Sequence, residues 1–178
     1  MKIKNASTHL HEIKIIEPEV FEDERGFFLE TFNQKRYQEE FLGDISFVQD
    51  NQSFSSKNVL RGLHFQKKRP QGKLVWVNYG SILDVAVDIR HGSNTFGMYH
   101  SEILSSENKK QLWIPPGFAH GFLALSDYAN FAYKCSDYYA PEDEQTIIWN
   151  DPDLNIEWQI KNPIVSEKDK MGCFLKDI

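Results

Sequence analysis

Short runs in which apolar and polar residues alternate recur along most of the chain, and this period of two most constrains its fold. In residues 81–90, SILDVAVDIR, apolar side chains occupy every second position from Leu83 to Ile89, with Asp84 and Asp88 among the residues between them. Successive side chains of a strand point to opposite faces of a sheet. The pattern therefore predicts a strand with one face in a core.

Similar runs occur at KLVWVNY, QLWIP, GFLALS and NFAYKCSDYY, separated by clusters of Gly, Pro, Asn and Ser. Many short strands with frequent turns are typical of a β-sandwich or barrel. The only clear helical pattern is NQKRYQEEFL, in which Tyr37 and Phe41 share one face after the capping candidates Thr31 and Asn33. We expect a single all-β domain over residues 1–178, with few helices.

Charge and cysteine content exclude several classes of function. The formal net charge is -6, which argues against the broad basic face that nucleic-acid binding requires. The apolar runs are all too short to cross a bilayer, which predicts no membrane segment. The N-terminal residues lack the apolar core of a signal peptide, and two cysteines are too few for a disulfide scaffold. These features predict a cytoplasmic protein.

Cofactor and metal motifs are incomplete. The chain has no glycine-rich dinucleotide fingerprint, and Gly72-Lys73 lacks the remaining residues of a phosphate loop, so we expect no redox cofactor. The segment IPPGFAHGF, which ends just after His120, has the Pro-x-Gly-x-x-His spacing of metal-binding double-stranded β-helix proteins. The companion His-x-His is missing, because His64 is followed by Phe65 and Gln66. We therefore expect no metal.

An arginine and a histidine stand three positions apart in the apolar segment NVLRGLHFQ. His64 is a candidate general base, since imidazole changes charge near neutral pH. A buried structural histidine is the alternative interpretation.

Six blocks in order, RGLHFQ, QGKL, DVAVDIR, QLWIPPGFAHGF, YKCSDYY and WNDPDLNIEW, resemble the dTDP-4-dehydrorhamnose 3,5-epimerase family. The resemblance extends from about residue 15 to residue 169. It implies a cupin-like jelly-roll β-sandwich that forms a homodimer without metal or redox cofactor. The implied activity is inversion of C3 and C5 in dTDP-4-dehydro-6-deoxy-D-glucose, giving dTDP-4-dehydro-L-rhamnose for L-rhamnose synthesis.

The same resemblance implies roles for individual residues. His64 would be the base, oriented by Asp169, and Tyr133 would be the acid on the opposite face of the sugar. Lys73 would stabilise the enolate oxygen at C4, because its positive charge attracts the negative charge that develops there. Implied substrate contacts are Arg25 and Arg61 at the diphosphate, Tyr139 stacked on the base, and Glu30, Gln49, Asn51, His120, Glu144 and Lys168 elsewhere.

The sequence is compatible with three alternatives to a 3,5-epimerase. Family relatives that invert only C3 share the histidine and the tyrosine, so single and double epimerisation are not distinguished. A sugar-binding jelly roll without activity and a metal-binding cupin are the alternatives outside this chemistry. The chain also departs from the usual family pattern, with Trp76 at a position that is commonly basic and Asn51-Gln52-Ser53 in place of Asn-His-Ser.

Overall fold

Two antiparallel sheets and a separate hairpin make up the computed structural model, which describes residues 1–178. The six-stranded sheet contains, in spatial order, β1 (Lys2–Asn5), β2 (Lys14–Glu17), β10 (Gln111–Ile114), β7 (Lys73–Tyr79), β12 (Tyr128–Cys135) and β5 (Gln49–Ser56). The five-stranded sheet contains β13 (Glu144–Thr146), β6 (Leu60–Gln66), β11 (Phe118–Ala124), β8 (Ser81–Asp88) and β9 (Tyr99–Ser105). The hairpin pairs β3 (Val20–Asp23) with β4 (Gly26–Leu29). The predicted all-β sandwich is confirmed.

Apolar side chains from both sheets meet in one cluster between them. Val75 and Phe131 from the six-stranded sheet pack there with Ile82, Ala86 and Phe122 from the five-stranded sheet. Each buried side chain of this size stabilises the fold by about 1.5–3 kcal/mol through removal of apolar surface from water. The two sheets are therefore held face to face by the alternating residues that the sequence shows.

The strand at residues 81–88 differs from its prediction in one respect, since both of its faces are buried. Leu83, Val85 and Val87 pack on the outer side of the five-stranded sheet, where residues 147–178 cover it. Asp84 and the other alternate residues face the space between the sheets. The expectation of a single buried face was wrong because the C-terminal segment, whose sequence has no regular period, forms a second apolar layer.

The predicted helix forms at residues 34–42, as α1 (Gln34–Tyr37) continued by a π-helical turn (Gln38–Leu42). The side chain of Asn33 caps it by accepting a hydrogen bond from the backbone N–H of Arg36 at 3.2 Å. The C-terminal segment adds α2 (Glu167–Lys170) and a 3₁₀ turn (Leu175–Asp177). No helix in the structure is long and apolar enough to span a membrane.

A β-bulge at Gly62 determines which way Arg61 and His64 point. Residues three apart on a regular strand face opposite sides of the sheet. Here Arg61 pairs with Phe122, whereas His64 pairs with His120, so β6 contains one extra residue between these pairs. Gly62 lies within that interval at a φ of 120°. The bulge thus turns Arg61 and His64 to the same face.

Gly62 is also the point of closest approach between β6 and β11. A Cβ atom at this position would lie 2.6 Å from the Gly121 Cα and 2.7 Å from the His120 carbonyl oxygen. Gly26 in the hairpin has a similar φ of 125°, but no heavy atom lies within 4 Å of its Cβ position. A side chain at Gly26 would therefore meet backbone strain alone, whereas one at Gly62 would meet both backbone strain and steric overlap.

We expect Gly26→Ala to cost about 1–3 kcal/mol of unfolding free energy from strain alone. Gly62→Ala should cost about 1–3 kcal/mol more, because the added methyl group overlaps backbone atoms that cannot move independently. Urea unfolding of both variants measures the difference at constant m-value. Equal costs for the two variants would contradict the close packing at the bulge.

Candidate active site

A cavity of about 330 Å³ opens between the two sheets at one end of the sandwich. Nine of the residues predicted for the site line it, namely Gln49, Asn51, Arg61, His64, Lys73, His120, Tyr133, Tyr139 and Glu144. They come from strands far apart in the sequence. The fold therefore brings together most of the candidate site.

The wall formed by the five-stranded sheet carries a histidine–carboxylate pair. His64 Nε2 lies 2.6 Å from Asp169 Oδ1, and the Asp169 side chain is only 4% exposed. The second oxygen of Asp169 accepts a hydrogen bond from the backbone N–H of Gly62 at 3.3 Å. An ionised carboxylate accepts hydrogen bonds only, so the His64 proton is placed on Nε2 and its Nδ1 is left as the basic nitrogen.

Asp169 reaches this wall from helix α2 in the C-terminal segment. Ser166 caps that helix by accepting a hydrogen bond from the Asp169 backbone N–H at 3.1 Å, which fixes the carboxylate's position. Burial alone would raise the pKa of Asp169, but the hydrogen bonds that its carboxylate accepts from His64 and Gly62 lower it below its ordinary value. Asp169 is therefore ionised at neutral pH.

The opposite wall, formed by the six-stranded sheet, carries Tyr133 on β12 and Lys73 on β7. Neither the phenol oxygen nor the Lys73 ammonium has a hydrogen-bond partner within the protein, and neither atom is completely buried. Burial raises the pKa of Tyr133 to about 12, so the phenol keeps its proton at neutral pH. Burial lowers the pKa of Lys73, against the opposing effects of Cys135, Glu144 and Asp84. Both groups have donors free for a ligand.

Polar contacts hold the rim of the cavity. The Tyr139 hydroxyl donates to Glu144 at 3.0 Å, and its backbone N–H donates to the Gln49 side chain at 2.8 Å. Lys168 forms an ion pair with Glu144, so it touches the site without lining the cavity. Arg61 Nε donates to the Ser55 hydroxyl at 3.0 Å, which leaves other guanidinium N–H groups of Arg61 available.

Two predicted substrate contacts lie elsewhere on this chain. Arg25 stands at the turn of the β3–β4 hairpin, 85% exposed, and pairs with Asp23. Glu30 follows the hairpin and pairs with Arg36 at 3.2 Å. Neither residue lines the cavity of its own chain, so their proposed roles require that the hairpin meets a different cavity.

The structure also adds residues that the sequence did not single out. Phe131 and Cys135 line the cavity from β12, and Asp84 lies behind it, 2.9 Å from His120. Asp84 appeared in the sequence as the polar member of an alternating strand, which is the usual sign of an exposed side chain. The described side chains contain no group of three or more His, Cys, Asp or Glu residues arranged to hold a metal ion.

Two antiparallel sheets that enclose a cavity lined by ionisable side chains define a cupin-like protein. Comparison with known proteins defines the group further. Residues 7–177 match the family model described as dTDP-4-dehydrorhamnose 3,5-epimerase. This chain belongs to that family.

Individual relatives agree with the family model. An enzyme of Pseudomonas aeruginosa named dTDP-4-dehydrorhamnose 3,5-epimerase is 54% identical over 93% of this chain and 92% of its own length. A Legionella pneumophila 3,5-epimerase, solved in complex with dTDP-4-keto-L-rhamnose, is 54% identical with a TM-score of 0.94 over 98% of this chain and 93% of its own. The expected cupin-like fold is confirmed by this likeness.

A relative with a different outcome is also similar. A 3'-monoepimerase from Streptomyces bikiniensis, solved in complex with dTDP-quinovose, is 32% identical. Its TM-score is 0.88, over 93% of this chain and 85% of its own. One fold thus supports both single and double epimerisation.

The Asp169 carboxylate generates a pH-dependent contribution to stability. Its pKa is lower in the folded protein than the unfolded value of about 3.9, so the contribution is complete above that value and is lost as the pH falls through the folded pKa. We expect Asp169→Asn to lower the unfolding free energy by roughly 1.5–3 kcal/mol at pH 7, and by less in acid. Urea unfolding at a series of pH values measures this.

Asp153→Asn is the matched control, because Asp153 is exposed in the same C-terminal segment. It should leave stability nearly unchanged throughout the series. A destabilisation by Asp169→Asn that stays constant, or increases as the pH falls below about 4, would contradict the assigned contacts.

Proposed function

We propose that this chain inverts C3 and C5 of dTDP-4-dehydro-6-deoxy-D-glucose, with His64 as base and Tyr133 as acid. The observation that carries the proposal is the position of the two groups on opposite walls of one cavity. A sugar ring held between the walls has one face toward each group. Inversion needs this arrangement, because the proton must leave from one face and return to the other.

The chemistry follows from the C4 ketone, which acidifies the hydrogens on C3 and C5. His64 Nδ1 takes one of these protons, and Asp169 stabilises the imidazolium that forms. The negative charge moves to the C4 oxygen, where we assign the unpartnered Lys73 ammonium as the stabilising cation. Tyr133 then returns a proton to the same carbon from the opposite wall.

Arg61 is the proposed ligand of the diphosphate within this chain. It shares the cavity-facing side of β6 with His64, and its free N–H groups suit a bidentate contact. Tyr139 at the rim is the proposed stacking partner of the nucleotide base. Gln49, Asn51, His120, Glu144 and Lys168 are the remaining proposed contacts, in or beside the cavity.

The wild-type enzyme tests the proposal when it is given dTDP-4-dehydro-6-deoxy-D-glucose in heavy water. We expect deuterium at both C3 and C5, together with formation of dTDP-4-dehydro-L-rhamnose, as read by NMR. dTDP-glucose is the control, because it lacks the ketone that acidifies these hydrogens. Exchange at C3 alone would show that this chain inverts only C3, like the Streptomyces bikiniensis relative that is described as a 3'-monoepimerase. No exchange at either carbon would contradict the function.

The β3–β4 hairpin supports a homodimer. It pairs with neither sheet, and Phe27 and Phe28 are 59% and 68% exposed on it. An exposed apolar element that carries an arginine outside the cavity of its own chain is suited to docking on a second copy of the chain. In the dimer that we propose, Arg25 and Glu30 of one protomer enter the cavity of its partner.

Mixing two inactive variants tests this exchange. Arg25→Ala and His64→Asn are each expected to be strongly impaired. After the protomers are allowed to exchange, a mixed dimer contains one cavity with both His64 and Arg25, and random exchange should restore roughly a quarter of wild-type activity.

A mixture of Arg61→Ala and His64→Asn is the matched control. Both residues belong to the cavity of their own protomer, so each cavity of a mixed dimer lacks one of them and no complete site forms, although Arg25 is intact in both protomers. Recovery in that control, or none in the Arg25 mixture despite mixed dimers shown by native mass spectrometry, would contradict the exchange of hairpins.

A further inference from the structure

A second histidine–carboxylate pair lies beside the pair formed by His64 and Asp169. His120 Nε2 is 2.9 Å from Asp84 Oδ2, with exposed fractions of 7% for His120 and 0% for Asp84. His120 pairs with His64 across strands β11 and β6, so the two imidazoles are neighbours on one wall. The proposed acid–base steps use His64 and leave Asp84 without a role.

The environment of His120 favours a neutral ring. Burial lowers the pKa of His120 and the nearby Lys73 ammonium lowers it further, whereas the carboxylate of Asp84 opposes these effects. Burial lowers the pKa of the half-buried Lys73 overall, and the charge of Asp84 is one of the effects that oppose this lowering. A neutral imidazole has one N–H, and a carboxylate accepts hydrogen bonds without donating any. The N–H of His120 is therefore on Nε2.

The other ring nitrogen of His120 is left with a lone pair. Nδ1 has no hydrogen-bond partner in the protein and is not among the completely buried polar atoms without partners. His120 lines the cavity, so this nitrogen is open to a ligand. A lone pair of this kind binds a hydroxyl and does not stabilise a ketone or enolate oxygen, which needs a donor.

We propose that Asp84 is a positioning residue that fixes His120 as its Nε2–H tautomer, so that Nδ1 accepts a hydrogen bond from a sugar hydroxyl. This inference rests on the proposed function, because it assumes a sugar in the cavity. The proposal gives Lys73 and His120 different roles toward the sugar. Lys73 donates to the oxygen that gains charge, and His120 recognises a hydroxyl that does not react.

Nitrogen NMR of the ¹⁵N-histidine-labelled wild-type protein tests the tautomer without any substrate. The spectrum of His120→Gln identifies the His120 signals by their loss. We expect a protonated Nε2 and an unprotonated Nδ1 at neutral pH. A protonated Nδ1, whether in the other tautomer or in an imidazolium, would overturn the proposal.

Titration with dTDP-glucose then tests the hydroxyl contact. This ligand carries sugar hydroxyls but does not react. Its binding should shift the Nδ1 signal toward that of a hydrogen-bonded nitrogen, whereas dTDP alone should not. The same shift with both ligands, or with neither despite binding shown by calorimetry, would overturn the contact to the sugar.

Asp84→Asn links the tautomer to function. The amide can donate to Nε2, which would release the proton to Nδ1, so we expect a mixed or reversed tautomer. The affinity for dTDP should stay the same, while kcat/KM for the 4-keto sugar falls about ten-fold, as expected for one hydrogen bond. An unchanged His120 tautomer in a folded Asp84→Asn protein would contradict the role of Asp84.

Asp169→Asn is the matched control, because it alters the pair at His64 and should leave the His120 signals in their wild-type tautomer. If Asp84→Asn does not fold, the wild-type spectra still decide the proposal. Failure of the enzyme to epimerise the keto sugar would remove the proposed function but would not alter the tautomer result, so the two failures are distinguishable.

Discussion

The active wall of the cavity depends on the hydrogen bonds accepted by one buried carboxylate, that of Asp169. One of its oxygens holds the imidazole of His64 and the other holds the backbone N–H of Gly62, within the bulge that turns Arg61 and His64 to the same side. The same residue belongs to a helix of the C-terminal segment, which covers the outer face of the five-stranded sheet. The orientation of His64 therefore depends on the packing of the C-terminal segment against this sheet.

The two sheets contribute different chemistry to the cavity. The five-stranded sheet supplies imidazoles that are each fixed by a buried carboxylate, through His64 and His120. The six-stranded sheet supplies Tyr133 and Lys73, whose donor atoms have no partner in the protein. A net charge of -6 for the whole chain is compatible with a site for an anionic ligand, because Arg61 and Lys73 both line the cavity.

Strands β7, β8, β10, β11 and β12 and the helix at residues 34–42 could be predicted from the periodicity of the sequence, and most of the cavity residues from the family resemblance. The common orientation of Arg61 and His64 could not, since a regular strand would separate them and only the observed pairing reveals the bulge. Asp84 was missed because an aspartate in an alternating strand suggests an exposed face, whereas the second sheet buries it. Arg25 lies outside the cavity of its own chain, and its proposed place in the cavity of a second protomer is not described by any local sequence pattern.

Proton exchange in heavy water decides whether proton removal and proton return occur on opposite walls of the cavity. Tyr133→Phe should still form the enolate. The His64 imidazolium exchanges its proton with the heavy water and then reprotonates the enolate, which gives deuterium next to the C4 carbonyl with the original configuration retained. His64→Asn should show neither exchange nor inversion, since no base starts the reaction. Normal inversion by Tyr133→Phe would show that another group is the acid, and rapid exchange by His64→Asn would show that another group is the base.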